Sequence, residues 1–402
     1  MAKPHRAPVD THARPEQALL VGVDIKGQRN PWRLDDSLQE LGQLAATAGA
    51  EVVGTVTQHL ERRTHTYLGK GKLEEIALLR EAARFDTIIC DDELTPTQRR
   101  NLEAAFKEQV KVIDRTALIL DVFARHASTR EGRSQLELAQ AEYLLPRLGG
   151  QWSHLERLGG GIGTRGPGES QLETDRRLVE RRIQSLKKEL ENVRQHRSQY
   201  RKQRQRSGVP VISLVGYTNA GKSSMLNALS SAGVVARDQL FSTLDPVTRR
   251  VRLPNGANVL VTDTVGFIQK LPTGLVAAFR ATLEELESAD LLLHVMDISH
   301  PNAPEHVEVV NGILRELGVE STPRVLALNK ADMLDPNEVT MPVHAEPGVV
   351  AVLTSTLTGR GLPELLQAIG NSLEAAGKAP SNGRAASGSF QAPSASVAAR
   401  RR

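Results

Sequence analysis

Cysteine is almost missing from this 402-residue chain: Cys90 stands alone. No intramolecular disulfide can form, and a reducing compartment is the simplest setting. Aromatic residues are scarce as well, at 3%, so any core has to be built from Leu, Val, Ile and Ala. No apolar run approaches the roughly 18 residues of a membrane-spanning helix. One of the longest, 291–296, is interrupted by His294. Residues 1–10 lack the apolar centre of a secretion signal. The eleven histidines show no metal-ligand spacing, so no histidine metal site is expected. These absences exclude a disulfide scaffold and predict a cytoplasmic protein without a membrane span.

What is present is ordinary in bulk, with 40% hydrophobic and 24% charged residues. The length calls for two or three domains. Residues 1–15 carry Pro4, Pro8 and Pro15 among polar residues and read as a disordered lead-in. Within 16–127, β-branched runs at 18–25, 51–58, 87–91 and 110–114 alternate with helical stretches at 34–48, 72–84 and 96–106. That alternation predicts an N-terminal α/β domain with a small, mostly parallel sheet.

Residues 128–207 predict a helical hairpin. A Leu-rich helix over 132–148 leads to a glycine-rich loop at 159–168. Beyond it, Leu172, Val179, Ile183, Leu186, Leu190, Val193 and Tyr200 recur at heptad-like spacing, broken by Arg176 and Arg197. The pattern predicts an antiparallel coiled-coil pair. Residues 171–207 hold twelve Lys or Arg against five Asp or Glu. A solvated helix face explains that excess as readily as attraction to a polyanion such as RNA, and charge alone does not separate the two. Ser207-Gly208-Val209-Pro210 then opens a second α/β pattern over 208–376. The closing 377–402, rich in Ala, Ser, Pro and Gly, read as a disordered tail.

The second α/β pattern carries the chemistry. The apolar strand run 211–215 is followed by Gly216-Tyr217-Thr218-Asn219-Ala220-Gly221-Lys222-Ser223 and then by a helical stretch. This is the phosphate-binding loop pattern in its required strand–loop–helix setting. The glycines let successive N–H groups turn inward onto phosphate oxygens, and the helix N-terminus adds its positive dipole end. Lys222 neutralises β- and γ-phosphate charge, and the Ser223 hydroxyl is placed to ligate Mg²⁺. A strand over 258–262 ends in Asp263-Thr264-Val265-Gly266, where Asp263 would hold Mg²⁺ through water and the Gly266 N–H would face the γ-phosphate. Between them, Phe241-Ser242-Thr243-Leu244-Asp245 offers Thr243 as a switch hydroxyl that reaches Mg²⁺ only in the triphosphate state. Lys222, Thr243 and Gly266 are the candidate catalytic residues; Ser223 and Thr243 are the candidate metal ligands.

Base choice is readable too. A buried strand over 324–328 leads into Asn329-Lys330-Ala331-Asp332. A carboxylate only accepts hydrogen bonds, so Asp332 suits the paired N–H donors of guanine, which adenine lacks. Thr354-Ser355-Thr356 follows a strand over 349–353 and can present a backbone N–H to guanine O6.

In this order and spacing the motifs resemble those of translation-factor-related GTPases, over about 209–376. The phosphate loop, Asp263-Thr264-Val265-Gly266-Phe267-Ile268, the upstream Thr164-Arg165-Gly166-Pro167-Gly168-Glu169-Ser170-Gln171-Leu172-Glu173 and Tyr67-Leu68-Gly69-Lys70-Gly71-Lys72 are similar to the HflX family. The resemblance implies a GTPase that turns GTP into GDP with Mg²⁺. It also implies a partner, the 50S ribosomal subunit with its rRNA, and a task on stalled or idle ribosomes, with the free protein monomeric. Asn219 resembles a loop asparagine that places K⁺ in several prokaryotic GTPases. Phe267 stands where Ras-like proteins have a water-orienting Gln, and Ser355-Thr356 departs from the Ser-Ala of the family. The other reading open at this point is a GTPase switch of a non-ribosomal complex such as tRNA modification.

Weaker signals are weighed against plain structure. Cys90-Asp91-Asp92-Glu93 reads as a strand end with solvated acids in preference to a metal site. Lys70 and Lys72 in a glycine turn suit RNA contact or a plain loop. Trp152 and His154 suit base stacking or a hydrophobic anchor.

Overall fold

The structure, a computed structural model, describes residues 15–27, 32–107, 109–148, 167–206, 208–230, 240–241, 245–272, 280–334 and 349–378. The expected nucleotide-site residues Ser242, Thr243 and Leu244, with Thr243 also the expected metal ligand, lie outside them. So do 159–166 of the glycine-rich loop, Trp152, His154, the lead-in and most of the tail.

The N-terminal unit alternates strand and helix: β1 (Gln17–Ile25), α1 (Leu34–Thr47), β2 (Glu51–Leu60), α2 (Lys70–Ala83), β3 (Thr87–Cys90), α3 (Pro96–Ala105), β4 (Lys111–Asp114) and α4 (Arg115–His126). All four strands are parallel, in the order β2-β1-β3-β4. β1 is central and covered on both faces, which is why it is apolar without alternation. Leu38, Leu41, Leu44, Ile119 and Phe123 of α1 and α4 share one core; Ile76 of α2 and Leu102 of α3 belong to the other. Local chemistry starts the helices where it should: Thr95 and Gln98 form a capping box with Pro96 at the first turn. Asp114 caps α4, an element that the alternation pattern missed, by accepting the Ala117 N–H at 2.9 Å.

The hairpin consists of α5 (Arg130–Leu144), a short 3₁₀ turn (Leu145–Arg147) and α6 (Pro167–Arg206), a helix of 40 residues. Pro167 and Gly168, expected in the loop, open α6 instead; proline suits a first helical position, where its missing N–H costs nothing. The helices run antiparallel. Leu138 packs on Ile183 and Leu186, flanked by Ala141, Leu145, Val179 and Leu190. Ion pairs border this seam, Arg182 to Glu137 at 2.6 Å, Lys187 to Glu142 at 2.8 Å and Arg197 to Glu131 at 2.7 Å. The seam break expected at Arg197 is thus a tethered cation.

The third unit contains β5 (Val211–Val215), α7 (Lys222–Ser230), β6 (Val247–Arg252), β7 (Asn258–Asp263), α8 (Arg280–Glu287), β8 (Leu291–Asp297), α9 (Ala303–Glu316), β9 (Arg324–Asn329), β10 (Val350–Leu353) and α10 (Leu362–Ala375). Its six strands run in the order β10-β9-β8-β5-β7-β6, parallel except for β6, which is antiparallel to β7.

The first and third units share a core. Tyr217, Leu240, Phe241, Val265 and Ile268 sit in one apolar cluster with Trp32 and the α1 and α4 side chains. Beside it lies a buried polar knot. Arg115, 1% exposed, donates to Asp91 Oδ1 at 2.8 Å and to Glu40 Oε1. Ser37 Oγ donates to Asp91 Oδ2 at 2.7 Å. Asp91 is therefore not the solvated strand-end acid that its sequence suggested; the helix after β1 and the one after β4 enclose it. Burial lowers the Arg115 pKa to about 10, which still leaves a cation at neutral pH.

Removing that cation strands the buried Glu40 carboxylate and leaves Asp91 with Lys270 alone. Arg115→Met should destabilise the protein by about 3–5 kcal/mol, the usual cost of breaking a buried pair. Differential scanning calorimetry reads this as a lowered first transition; an unshifted thermogram would show that the knot contributes no stability.

Candidate functional site

Three glycines mark where backbone must pass without a side chain. A Cβ on Gly216, at φ +150°, would sit 2.2 Å from the Val295 carbonyl oxygen. One on Gly221, at φ +95°, would meet Asn329 Nδ2 at 2.4 Å. One on Gly266 would lie 2.9 Å from both Lys222 Nζ and Thr218 Cα. Asn219, between the first two, is also left-handed at φ 59°. The loop 216–221 therefore curls beneath the start of α7, and Gly266 presses across it.

Lys222 curls back over its own loop, donating to the carbonyls of Gly216 at 3.2 Å and Tyr217 at 2.8 Å. It is 6% exposed, and burial pulls its pKa down to about 8 against the opposing pull of Asp263. Ser223 Oγ donates to Asp263 Oδ2 at 2.6 Å. A hydroxyl and a carboxylate side by side at the head of a phosphate loop are the hard oxygen donors that Mg²⁺ takes, so these residues fit the ion. Thr264 ties this end of β7 to β5 by donating to the Leu214 carbonyl at 2.6 Å. Next along, the Phe267 N–H donates to Gly216 O at 3.1 Å, and the Thr218 N–H donates to Phe267 O at 2.8 Å. The Phe267 ring, 1% exposed, packs into a core with Leu283 and Leu286. It faces away from the phosphate loop and offers water nothing.

The segments expected to recognise the base converge on the same loop. Asn329 donates from Nδ2 to the Ala220 carbonyl at 2.9 Å, while its Oδ1 accepts the Thr356 N–H at 3.2 Å. Ser355 Oγ donates to Asp332 Oδ1, orienting the exposed carboxylate. The Ala331 N–H donates to the Thr354 carbonyl at 3.1 Å. Lys330 takes a left-handed turn at φ 62° and pairs with Asp297 at 2.7 Å.

Three expected site residues point elsewhere. The Tyr217 ring stacks on His306 (centroids 3.8 Å apart, interplanar angle 7°) and lies 5.9 Å from Trp32. Its hydroxyl donates to Glu40 Oε2 and accepts the Gln269 N–H at 2.9 Å. Burial pulls His306 down to about 3, so a neutral imidazole completes the stack. Phe241 leans on Phe123 of α4 at 4.4 Å. Asp245 turns its carboxylate to Ser128 and Thr129 at the start of α5. Sequence reading missed Glu40, Ser37, Gln269 and Lys270 around the loop. Gln269 Nε2 donates to Ser37 Oγ at 3.1 Å, and Lys270 Nζ reaches Asp91 and, at 2.7 Å, Asp92. One local hint existed: a large aromatic at Tyr217, in a loop whose work is done by backbone.

A strand, a glycine loop closing under a helix, an acidic strand end beside the helix serine and a base loop held by Asn329 together define a P-loop GTPase domain. Comparison with known proteins carries this further. A family model described as GTP-binding GTPase N-terminal matches residues 35–124, one described as GTP-binding GTPase Middle Region matches 126–204, and one described as 50S ribosome-binding GTPase matches 211–330. GTPase HflX of Alkalihalophilus pseudofirmus is 51% identical over 83% of this chain and 78% of its own. GTPase HflX of Caldanaerobacter subterraneus subsp. tengcongensis is 52% identical over 80% and 73%, and that of Escherichia coli K12 is 44% identical over 90% and 83%. The chain belongs to the HflX family of GTPases, whose reaction is hydrolysis of GTP.

Two outcomes follow from the site. Without nucleotide, Lys222 loses its proton near pH 8, whereas bound phosphates favour the charged form. Binding above that pH must take up a proton, so GTP affinity should fall by up to about tenfold per pH unit. Isothermal titration from pH 7 to 9.5 should show the fall in the parent and a flat, weak profile in Lys222→Met; parallel profiles would refute it. Asp332→Asn should exchange guanine for xanthine preference, and competition between GTP and XTP measures it. A variant that still selects GTP would remove Asp332 from base recognition.

Proposed function

We propose that this GTPase binds the large (50S) ribosomal subunit and acts on stalled or idle ribosomes, splitting or recycling them in the cytoplasm. The observation that carries the reading is the hairpin: a 40-residue helix with twelve basic and five acidic residues over 171–206, held against α5 beside a GTPase domain. Among the described residues, six cations of α6 are paired with glutamates, Arg176, Arg177 and Arg194 along the helix itself. The pairing stiffens the arm while the surplus positive charge stays. A stiff basic arm suits a phosphate-lined surface, where released counterions drive binding. The family model over 211–330 carries the description 50S ribosome-binding GTPase, which supports the same partner.

In this reading the backbone of 216–223 cradles the phosphates, with Lys222 on the β- and γ-oxygens. Asn329, Asp332 and the 354–356 loop hold guanine. Ser223 and Thr243 would ligate Mg²⁺, with Asp263 behind it, and the ion would supply neutralisation of phosphate charge. Asn219 would help to hold a K⁺ ion beside them. Phe267 leaves the attacking water without a side-chain partner, so free turnover is slow and the ribosome supplies what orients the water.

Sedimentation with 30S, 50S and 70S particles tests the partner. The protein should travel with 50S in the presence of a non-hydrolysable GTP analogue, less so with GDP, and should lose affinity steeply as salt rises. Its GTP turnover should climb on 50S. Replacing 159–166 by a short Gly-Ser turn should spare basal turnover and abolish the stimulation or its effect on ribosomes. Neither co-sedimentation nor stimulation would reject the ribosomal reading in favour of a non-ribosomal complex, such as one that modifies tRNA.

A further inference from the structure

Two residues that flank Thr243 in sequence are held by the corner where the N-terminal unit becomes the hairpin. On the upstream side, Phe241 is 2% exposed, sits left-handed at φ 57° and packs its ring 4.4 Å from Phe123 of α4, with Leu240 in the same cluster. Four residues on, the Asp245 carboxylate accepts from both residues before α5. The donors are the Ser128 N–H at 3.1 Å, Ser128 Oγ at 2.7 Å, the Thr129 N–H at 2.9 Å and the Thr129 hydroxyl. Burial alone would raise the Asp245 pKa, but these donors hold it below the usual carboxylate range.

Thr129 has a second task. It is the N-cap of α5, and its Oγ1 accepts the Gly132 N–H at 3.0 Å. The carboxylate of one unit thus lies directly on the cap that starts the helix of another. Gly132 records how tight the fit is: a Cβ there would stand 2.4 Å from Asp245 Oδ1. Gly132 lies inside a helix, where alanine is normally preferred, and its partner across the gap is that carboxylate. Beyond Asp245 the chain enters β6, whose first residue, Val247, pairs with Asp263.

We propose that the α4–α5 corner is a positioning element for GTP hydrolysis, with Phe123, Ser128 and Thr129 fixing the residues on either side of the switch threonine. Contacts that fix Phe241 and Asp245 in advance leave less entropy to lose when the switch threonine engages the metal. Because Thr243 reaches the metal only with GTP, the corner favours the GTP state over the GDP state. Linkage is reciprocal: the same contacts carry the nucleotide state to α5, and from α5 through its seam to α6. The inference rests on the assignment of Thr243 and needs no ribosome, so its failure leaves the 50S reading intact.

The test uses the full chain. Gly132→Ala keeps a good helix former in α5 but drives the Asp245 carboxylate off the cap; Asp245→Ala removes it. Each should lower the ratio of GTP to GDP affinity by about fivefold or more, a typical coupling, and raise the Mg²⁺ concentration at half-maximal turnover. GDP affinity should stay as in the parent. In the double variant Gly132→Ala/Asp245→Ala the alanine at 132 should add little, because its nearest clash partner is gone and only the 3.2 Å approach to Thr129 Oγ1 remains. An unchanged ratio and Mg²⁺ midpoint in both single variants overturns the proposal. A Gly132→Ala effect that persists in full on the Asp245→Ala background also overturns it. Should Gly132→Ala fold poorly, Ser128→Ala/Thr129→Ser, which keeps a capping hydroxyl while trimming the contact, gives the same ratio to read.

Discussion

A guanidinium sealed from water holds this molecule together at its most consequential point. Arg115 answers Asp91 and Glu40, and Glu40 in turn accepts the Tyr217 hydroxyl from the phosphate loop. Charges so buried are tolerable only when every partner is in place. The phosphate loop is therefore not free to choose its seat. Tyr217 is fixed by Glu40 at its hydroxyl and by His306 on its ring, and Gln269 donates its backbone N–H to the same oxygen. The acidic end of β3 completes the seat by taking Lys270. A GTPase domain can fold around its own sheet, yet here the segment after Gly266 leans on a second sheet.

The position of that seat follows from the N-terminal topology. In an open parallel sheet, ligands bind beyond the carboxyl ends of the strands where the order reverses. In the order β2-β1-β3-β4 the reversal lies between β1 and β3. Asp91 lies there, its N–H bonded to the Val21 carbonyl at 2.9 Å, next to Ser37 of α1. Lys270 and Gln269 occupy the place a small molecule would take.

What was legible in the sequence depended on distance along the chain. Gly216 and Gly221 announce themselves because a left-handed backbone and a close approach admit no other residue, and the strand before and helix after are local. Asn329 and Asp332 were legible because their chemistry is specific to one base. The parallel character of the N-terminal sheet followed from alternation alone. Helix α4 did not, since Ala117 to Leu120 reads as a short apolar run that serves a strand or a helix equally well; its Asp114 cap decides the matter. Asp91 was misread as solvated because its neighbours in space, Arg115 and Lys270, lie 24 and 179 residues away. Tyr217 looked like a phosphate-loop residue and nothing more, and no spacing rule could have joined it to Glu40, 177 positions earlier.

Geometry turns the long helix into an amplifier. Forty residues at 1.5 Å rise give a rod of about 60 Å. A rod of that length multiplies angle into distance: a tilt of about 5° at one end sweeps the other through about 5 Å. Side-chain shifts of well under an ångström at Thr129 or Asp245, too small to disturb a sheet, correspond to angles of that order across one helical turn. The stiffness needed to transmit the tilt comes from the ion pairs that fasten α6 to α5, so the charges that stay neutralised along the arm matter mechanically as much as those left over.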